Sequence, residues 1–397
     1  MRNFPTIGEY NQTIQNKGHR AFQSLTNLNF IPSRTFPIKI YSFGSGSYAV
    51  VFKASRNRSN YAIRCFLSTE EENINRYQAI CSYLNSIDEK WKVSTTFYDK
   101  EIEVNRKLYP ILAMEWIDGV LINQFVTENL YNSFVLSELQ KQLVEISNNL
   151  ESHNIGHGDL QCGNIIIQKN GNDFQIKLID YDGMYIPHFN LLKSLENGRS
   201  EFQHPKRTES DFSSTIDRFS FWVMLTALEA LKHDTTLWDE VMQGGFNTLD
   251  NFLFTIKDFL KPNQSALFHR LYRLNSSSLN FYLETLKWLC QNEISVIPPP
   301  ALHGNAEKKP ESNPIEHQNY VSNDKVVVNK ISSNKYQIIT KNGTASVLTS
   351  TFQKLGTTPI ELDKNKYNGK MILISNGRET KRIKLDSFQS LIEIVFE

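Results

Sequence analysis

Alternating hydrophobic and polar residues divide the chain into segments of different character. From Pro37 onward, the runs "IKIYSF", "YAVVFKA" and "NYAIRCFL" are typical of β-strands, and the first two flank a Gly/Ser turn. The next run, "EEENINRYQAICSYLNSI", repeats apolar residues at helical spacing. Two further apolar stretches, residues 93–97 and "YPILAMEWI", can complete a sheet. The pattern predicts a small β-rich lobe with one helix over residues 38–118.

After Gly119 the periodicity becomes helical. In "VLSELQKQLVEISNNLESHNIG" one apolar stripe leads to Gly156, a residue suited to helix termination. The run "IDRFSFWVMLTALEALK" is apolar on nearly every face, which is typical of a helix buried at the centre of a domain. Helical segments continue to about Ile297, so we predict a helical lobe over residues 119–297.

Both ends of the chain differ from these two lobes. Residues 1–37 are polar without clear periodicity and are interpreted as an N-terminal extension. Residues 298–323 are rich in Pro, Lys, Glu and Asn, which indicates a linker. Beyond them, runs such as "KVVV", "KYQIIT" and "KMILIS" alternate with Asn-Gly turns at 342–343 and 376–377, which predicts a small all-β domain over residues 324–397. The predicted fold class is α+β, with two lobes and a C-terminal β domain.

Composition limits the kinds of partner and compartment. A chain of 397 residues usually forms more than one domain, and its formal net charge of +1 gives no general attraction to nucleic acid or to an anionic membrane. Four scattered cysteines without a CxxC pair argue against a disulfide framework or a zinc site. The N-terminus lacks the apolar core of a signal peptide, and no apolar run reaches the ~18 residues of a membrane span. These features favour a soluble protein of the cytoplasm.

Two glycines, Gly44 and Gly46, lie in the run "GSGSYAVVF". A backbone without Cβ atoms can approach a polyphosphate closely, although a simple hairpin turn is the commoner explanation of such a run. One strand later, Arg64 is the lone cation of the apolar run "YAIRCF". It would meet an anion such as a nucleotide phosphate if it is buried, or lie on the solvent face of an edge strand.

The run "ILAMEWIDG" is a strand that enters a Gly-containing connector between the two lobes. Such a joint is a common place for a ligand cleft, and it also fits a plain domain linker. In a nucleotide site, Met114 would form the wall behind the base, and the backbone of Glu115 to Ile117 would hydrogen-bond the base.

A polar loop, "HGDLQCGNIII", holds Asp159 and Asn164 just before an apolar strand. The "KNGN" turn and the strand "FQIKLIDYDG" then bring Asp180 back beside that loop. Carboxylate and amide oxygens suit Mg²⁺, which takes few protein ligands and leaves the rest to water and phosphates. Asp159 would remain available to orient and deprotonate an attacking hydroxyl. Asp and Asn also cap turns, but three of them in this order favour a functional site.

In their order along the chain, these segments resemble the protein-kinase superfamily. The matching segments are "GSGSYAVVF", "YAIR", "LAMEWIDG", "HGDLQCGN", "LIDYDG" and "DRFSFW", which span roughly residues 38–297. More narrowly, the chain resembles bacterial kinase-like proteins that share "HGDLQ-x-GN", "DYDGMY" and "YQHP-x-R", the last present here as "FQHPKR". The resemblance implies a bilobal kinase-like fold that uses ATP and Mg²⁺.

The resemblance also implies roles by position. Asp159 would be the catalytic base, and Asn164 and Asp180 would bind magnesium. His157 would brace the catalytic loop, and Asp217 would tie that loop to the buried helix. The implied nucleotide-binding residues are Gly44, Ser45, Gly46, Val51, Ala62, Arg64, Met114, Glu115, Trp116 and Ile117.

Five positions depart from the family pattern. Arg64 stands where a Lys is usual, and a planar guanidinium does not simply replace an ammonium. Gly158 replaces the Arg before the catalytic Asp, so control by phosphorylation through that Arg is not expected. Gln161 replaces a Lys that is aimed at the transferred phosphate. Asp182 and Ala49 occupy two positions that are normally Gly.

The ion-pair partner of Arg64 stays open at this point. The helix after it should offer a Glu, but Glu70, Glu71 and Glu72 all lie at its start, with Arg76 further in. The metal ligands and the base are retained while positive charge around the phosphate is thinned, a loss that affects rate more than nucleotide binding.

Three functions fit these residues. The leading hypothesis is an ATP- and Mg²⁺-dependent kinase acting on Ser/Thr hydroxyls of a protein. The second is a pseudokinase, a nucleotide-binding signalling or scaffold module that recognises a protein partner. The third is a small-molecule hydroxyl kinase, suggested by the "HGDL" form of the loop, although the short distance from the connector to the loop favours the first hypothesis.

Overall fold

The computed structural model describes two compact units, Met1–Glu307 and Lys308–Glu397. The residues it describes are 4–34, 39–45, 48–67, 71–171, 173–190, 192–243, 251–304, 335–340, 345–349, 354–367, 370–376, 380–385 and 391–394. Gly46, Glu70, the predicted "KVVV" strand and the turn at 342–343 lie outside them. Among the residues that the structure describes, no helix is long and apolar enough to cross a membrane.

The first unit begins with a β-rich lobe. Its elements, in chain order, are α1 (Ile7–Lys17), β1 (Asn29–Ile31), β2 (Ser42–Ser45), β3 (Ala49–Arg56), β4 (Ser59–Phe66), α2 (Glu71–Asn85), β5 (Thr95–Val104) and β6 (Lys107–Glu115). The six strands form one sheet in the order β1-β3-β4-β6-β5, and β2 also pairs with β3. Every pairing in this sheet is antiparallel.

The N-terminal segment is part of this lobe, which its polar sequence did not indicate. Helix α1 starts at a capping box in which Thr6 and Glu9 satisfy each other's backbone amides. Residues 10–28 supply six of the fifteen buried residues in the core cluster of the lobe. The carboxylate of Glu101 in β5 accepts three hydrogen bonds, from the amide and hydroxyl of Ser24 and from the amide of Leu25, at 2.7–2.8 Å. The segment is therefore held in the lobe by apolar packing and by hydrogen bonds to the buried carboxylate of Glu101.

The second lobe is mainly helical. Its elements are β7 (Val120–Leu121), α3 (Ile122–Glu128), α4 (Ser133–Ser152), β8 (Ile165–Asn170), β9 (Asp173–Leu178), α5 (Arg218–His233), α6 (Thr236–Gln243), α7 (Ile256–Leu260), α8 (Ala266–Tyr272) and α9 (Ser277–Gln291). Every residue of α5 from Phe219 to Leu231 is buried, as the all-round apolar pattern predicts. Strands β7, β8 and β9 form a small antiparallel sheet that carries the polar loop.

The second unit is built from strands. They are β10 (Lys335–Thr340), β11 (Ser346–Thr349), β12 (Lys354–Thr357), β13 (Ile360–Asp363), β14 (Met371–Ser375), β15 (Thr380–Lys384) and β16 (Leu391–Ile394), with a short helix α10 (Lys364–Tyr367) before β14. One sheet has the order β13-β10-β16 and the other β12-β11-β14-β15. Their shared core includes Tyr336, Val347 and Ile374. The predicted α+β fold with a small C-terminal β unit is confirmed.

Candidate active site

The polar loop between α4 and β8 is anchored from below by Asp217, the residue before helix α5. Its carboxylate accepts hydrogen bonds from the backbone amides of His157 and Gly158, the latter at 2.9 Å. Burial raises the pKa of Asp217, and the neighbouring His157 opposes that rise. His157 is itself fully buried, and its Nε2 lies 2.9 Å from the carbonyl oxygen of Ile179. The structure thus joins the loop to the central helix and to the segment after β9.

Gly158 has a backbone conformation that only glycine adopts without strain. Its φ is +82°, and a Cβ at this position would lie 2.2 Å from the carbonyl oxygen of Gly183. The Arg usual at this position in the family therefore has no room here. Arg207, from the "FQHPKR" run, donates instead to the carbonyl of Gly158 at 2.8 Å and also to Gln203.

Three donors hold the carboxylate of Asp159. Its Oδ2 accepts from Nε2 of Gln161 at 2.6 Å and from Nδ2 of Asn164 at 3.0 Å. Its Oδ1 accepts from the backbone amide of Arg199 at 3.1 Å. Gly198 permits this approach, because a Cβ there would lie 2.8 Å from Oδ1. Asp159 is thus oriented as an acceptor, with the 198–199 backbone packed against it.

Asn164 and Asp180 lie on adjacent stretches of backbone. The amide of Ile179 donates to the carbonyl of Asn164 at 3.0 Å, which brings the residue before Asp180 beside the loop. Both hydrogen bonds from the Asn164 amide nitrogen go to Asp159, so its Oδ1 faces away from that carboxylate. Asp180 has a φ of +64° and a partly exposed carboxylate. An amide oxygen and a carboxylate are oxygen ligands of the kind that Mg²⁺ prefers.

Arg64 is a buried cation, not a surface residue of an edge strand. Its side chain is 12% exposed, and its Nη1 lies 2.7 Å from Oδ1 of Asp180. Asp182 accepts hydrogen bonds from both terminal nitrogens of the guanidinium. Although burial alone would lower it, these two carboxylates raise the pKa of Arg64 above its usual range. Burial raises the pKa of Asp182, and Arg64 opposes that rise.

Glu196 adds a fourth carboxyl group to the cleft. A Cβ on Gly183 would lie 2.9 Å from its Oε1, so the side chain packs against the segment that follows Asp180. Burial, followed by the charges of Asp159, Asp182 and Asp180, raises the pKa of Glu196 to about 7. Among the described residues, no group of three or more His, Cys, Asp or Glu side chains could by itself hold a metal ion.

Four of the predicted nucleotide-binding residues share one face of the first sheet: Val51, Ala62, Arg64 and Met114. Val51 pairs with Arg64, Ala62 pairs with Met114, and directly opposed residues of antiparallel strands point to the same side. Gly44 and Ser45 pair with Val51 and Val50 at the end of β2.

In the connector between the lobes, two of the three backbone amides predicted to contact the base already have partners within the protein. The amide of Glu115 donates to the carbonyl of Ser94 at 2.9 Å, and the amide of Trp116 donates to the carbonyl of Asn60 at 3.0 Å. These two amides are engaged within the protein, which leaves Ile117 as the amide donor of this stretch for a base. The ring of Trp116 meets Phe43 of β2 edge-on, with centroids 5.3 Å apart.

The first unit combines a β-rich lobe with a helical lobe. Its polar loop lies beside two aspartates that bind the buried cation Arg64. This arrangement defines a protein of the kinase fold class. A family model described as the protein kinase domain matches residues 39–294, well over half of the chain. The chain therefore belongs to the protein kinase domain family, as its motifs predict. No curated protein matches the chain.

Several residues of the site were not predicted from the sequence. Asp182 and Gln161 were noted as departures from the family, but not as partners of Arg64 and Asp159. Arg207 lies in the "FQHPKR" run, to which the sequence assigned no role. The contact from Arg199 uses its backbone amide, for which a sequence holds no signal.

Proposed function

We propose that the chain is an ATP- and Mg²⁺-dependent phosphotransferase that acts on Ser/Thr hydroxyls of a protein, with Asp159 as the base. The observation that carries this proposal is the carboxylate of Asp159, held by Gln161 and Asn164 on one oxygen and by the Arg199 amide on the other. A positioned carboxylate of this kind can accept the proton of an attacking hydroxyl. Membership of the protein kinase domain family supports the reaction class.

The metal ligands in this proposal are Asn164 and Asp180. Their oxygens come from adjacent backbone stretches, and two protein ligands are the usual supply for Mg²⁺ in phosphoryl transfer, with the phosphates as the remainder. Bound magnesium would neutralise charge on the phosphates during transfer. Arg64 would donate to phosphate oxygens from the sheet above, and the strand end with Gly44 and Ser45 would cover them.

In this proposal, the neutral side chain of Gln161 lowers the rate of phosphoryl transfer. It donates to Asp159 at 2.6 Å and so orients the base, but it brings no positive charge to the transferred phosphate. Loss of one charge-stabilising donor typically costs a factor of about 10²–10³ in rate. We therefore expect slow transfer with ordinary nucleotide affinity.

The proposal is tested by incubating the full chain with γ-labelled ATP, Mg²⁺ and generic Ser/Thr protein substrates. We expect label on substrate or on the chain itself, and its loss in Asp159→Ala and in Asp180→Ala. Transfer by these variants at the wild-type rate would refute the site assignment. Absence of transfer by the wild type would refute the reaction.

The second candidate is a pseudokinase whose output is recognition of a protein partner. It is favoured by the two aspartates that already engage Arg64 and by the neutral Gln161. A thermal-shift titration separates the candidates when it is combined with the transfer assay. Stabilisation by ATP and Mg²⁺ without transfer favours the binding module, and absence of stabilisation contradicts both. A bacterial source and a cytoplasmic location remain predictions from the sequence.

A further inference from the structure

Arg64 is held by a carboxylate from an unexpected element. Asp182 belongs to the segment after β9, at a position that is usually Gly in the family, and accepts from both terminal nitrogens of the guanidinium. Its side chain is 19% exposed, so the pair is largely shielded from water. A bidentate arginine–carboxylate pair fixes the plane of the guanidinium as well as its position.

Tyr77 connects this pair to helix α2. The centroid of its ring lies 5.7 Å from Cζ of Arg64, and its hydroxyl interacts with the carboxylate of Asp182. Tyr77 is buried, with 8% of its surface exposed. Helix α2 therefore meets the Arg64–Asp182 pair through the phenol ring of Tyr77.

The acidic residues in the sequence of α2, Glu71 and Glu72, come six and five positions before Tyr77. Among the α2 side chains that the structure describes, the ring of Tyr77 is the one that lies over Arg64.

From this geometry we propose that Asp182, supported by Tyr77, is the positioning residue for Arg64, in place of a glutamate on helix α2. The proposal rests on the proposed function, in which Arg64 binds the phosphates of ATP. Asp182 accepts from one N–H on each terminal nitrogen of Arg64, and Asp180 accepts from the second N–H of Nη1. The second N–H of Nη2 and the N–H of Nε would then be the donors for phosphate oxygens. Asp180 can exchange its contact with Arg64 for a metal ion while Asp182 retains the guanidinium.

This arrangement would couple helix α2 to Arg64 less directly than a glutamate on α2 would. In this chain, movement of α2 would reach the cation through the ring of Tyr77. The cation itself is held by Asp180 and Asp182, and Asp180 is also a proposed metal ligand. Orientation of Arg64 then depends on the 180–182 backbone more than on α2.

The test measures the affinity of a fluorescent ATP analogue with Mg²⁺ for the full chain. We expect Asp182→Asn to weaken binding about tenfold or more, since a hydrogen-bonded charged partner is lost. Tyr77→Phe should weaken it about two- to fivefold. The rescue variant combines Tyr77→Glu with Asp182→Gly and so moves the carboxylate from residue 182 to helix α2. A glutamate carboxylate reaches about as far from Cβ as the centre of a tyrosine ring, so it can contact Arg64 from this position. The rescue variant should bind the analogue within about threefold of wild type, whereas Asp182→Gly alone should not.

Glu151→Gln is the matched control. Glu151 forms a bidentate pair with Arg218 of similar burial, with side chains 21% and 19% exposed, and Arg218 also donates to the carbonyl of Ile297. It should change ATP affinity less than about twofold at a comparable loss of stability. Equal weakening by Asp182→Asn and Glu151→Gln would mean that Asp182 acts only through stability, and would overturn the proposal.

Other outcomes separate this proposal from the proposed function. If the wild type binds the analogue and Asp182→Asn binds equally well or better, only the role of Asp182 fails. If the wild type binds no nucleotide, the proposed function fails and the positioning role falls with it. If Asp182→Asn does not fold, Tyr77→Phe and the rescue variant decide, and failure of the rescue variant to exceed Asp182→Gly contradicts the proposal.

Discussion

Substitution of Gly158 by Ala tests whether the polar loop before β8 and the segment after β9 are in direct backbone contact. The new Cβ would lie 2.2 Å from the carbonyl oxygen of Gly183, so one of the two backbones must move. A left-handed φ costs a non-glycine residue about 1–2 kcal/mol. Crowding of a well-packed interior adds typically about 1–3 kcal/mol. We expect Gly158→Ala to lower the free energy of unfolding by about 2–5 kcal/mol.

Gly171→Ala isolates the contribution of that contact. Gly171 also has a positive φ, +64°, but a Cβ there would meet no atom within 4 Å. Both substitutions restrict the unfolded chain equally, so that effect cancels between them. The difference between the two variants should therefore be the crowding cost alone, about 1–3 kcal/mol.

Urea unfolding followed by tryptophan fluorescence is the assay. All five tryptophans lie within residues 91–288, so the signal reports the first unit and not the C-terminal unit. Variants that agree within about 0.5 kcal/mol, the usual scatter of neutral substitutions, would refute the contact between Gly158 and Gly183.

Three further predictions concern single side chains. Glu101→Ala should destabilise the first unit by about 2–3 kcal/mol by leaving buried donors unpaired, whereas Glu101→Gln, which keeps a carbonyl acceptor, should cost clearly less in the same urea assay. Because the pKa of Glu196 is raised from 4.5 to about 7, its folded state binds more protons than the unfolded state between these values, and stability should fall as pH rises through this range. Glu196→Gln should remove that loss, so a variant as pH-sensitive as wild type contradicts the assignment. Gln161→Ala removes one of the two hydrogen bonds to Oδ2 of Asp159 and should slow phosphoryl transfer about two- to tenfold with unchanged ATP affinity, as measured by initial rates; a larger loss of affinity than of rate would contradict it.

The two-lobed fold could be predicted from the sequence because its long elements carry strong periodicity. Helix α5 is buried along its whole central length, and its sequence is apolar on nearly every face. The N-terminal segment was not recognised, because α1 has only three apolar residues in eleven, Ile7, Tyr10 and Ile14, of which the last two are buried. A stripe with so few members is weak evidence for a packed helix.

The proximity of three candidate site residues could be predicted because they lie in short consecutive segments. Asp159 and Asn164 precede β8, Asp180 follows β9, and the two strands are joined by a tight turn, so local geometry brings the three residues together. Their chemical roles stay a prediction. The partners of Arg64 could not be predicted, since the register of long-range packing decides which carboxylate reaches a cation. The family pattern predicts a partner for Arg64 on α2, whereas in the structure the partner is Asp182, in the segment after β9.

The most direct test of the account compares Asp159→Asn with wild type in one preparation, measuring both the affinity for ATP with Mg²⁺ and the rate of phosphoryl transfer at saturating nucleotide. The account assigns Asp159 to the attacking hydroxyl and not to the nucleotide. It therefore predicts an affinity within about twofold of wild type and a rate lower by about 10²–10⁴. Equal transfer rates, or a loss of nucleotide affinity as large as the loss of rate, would contradict it.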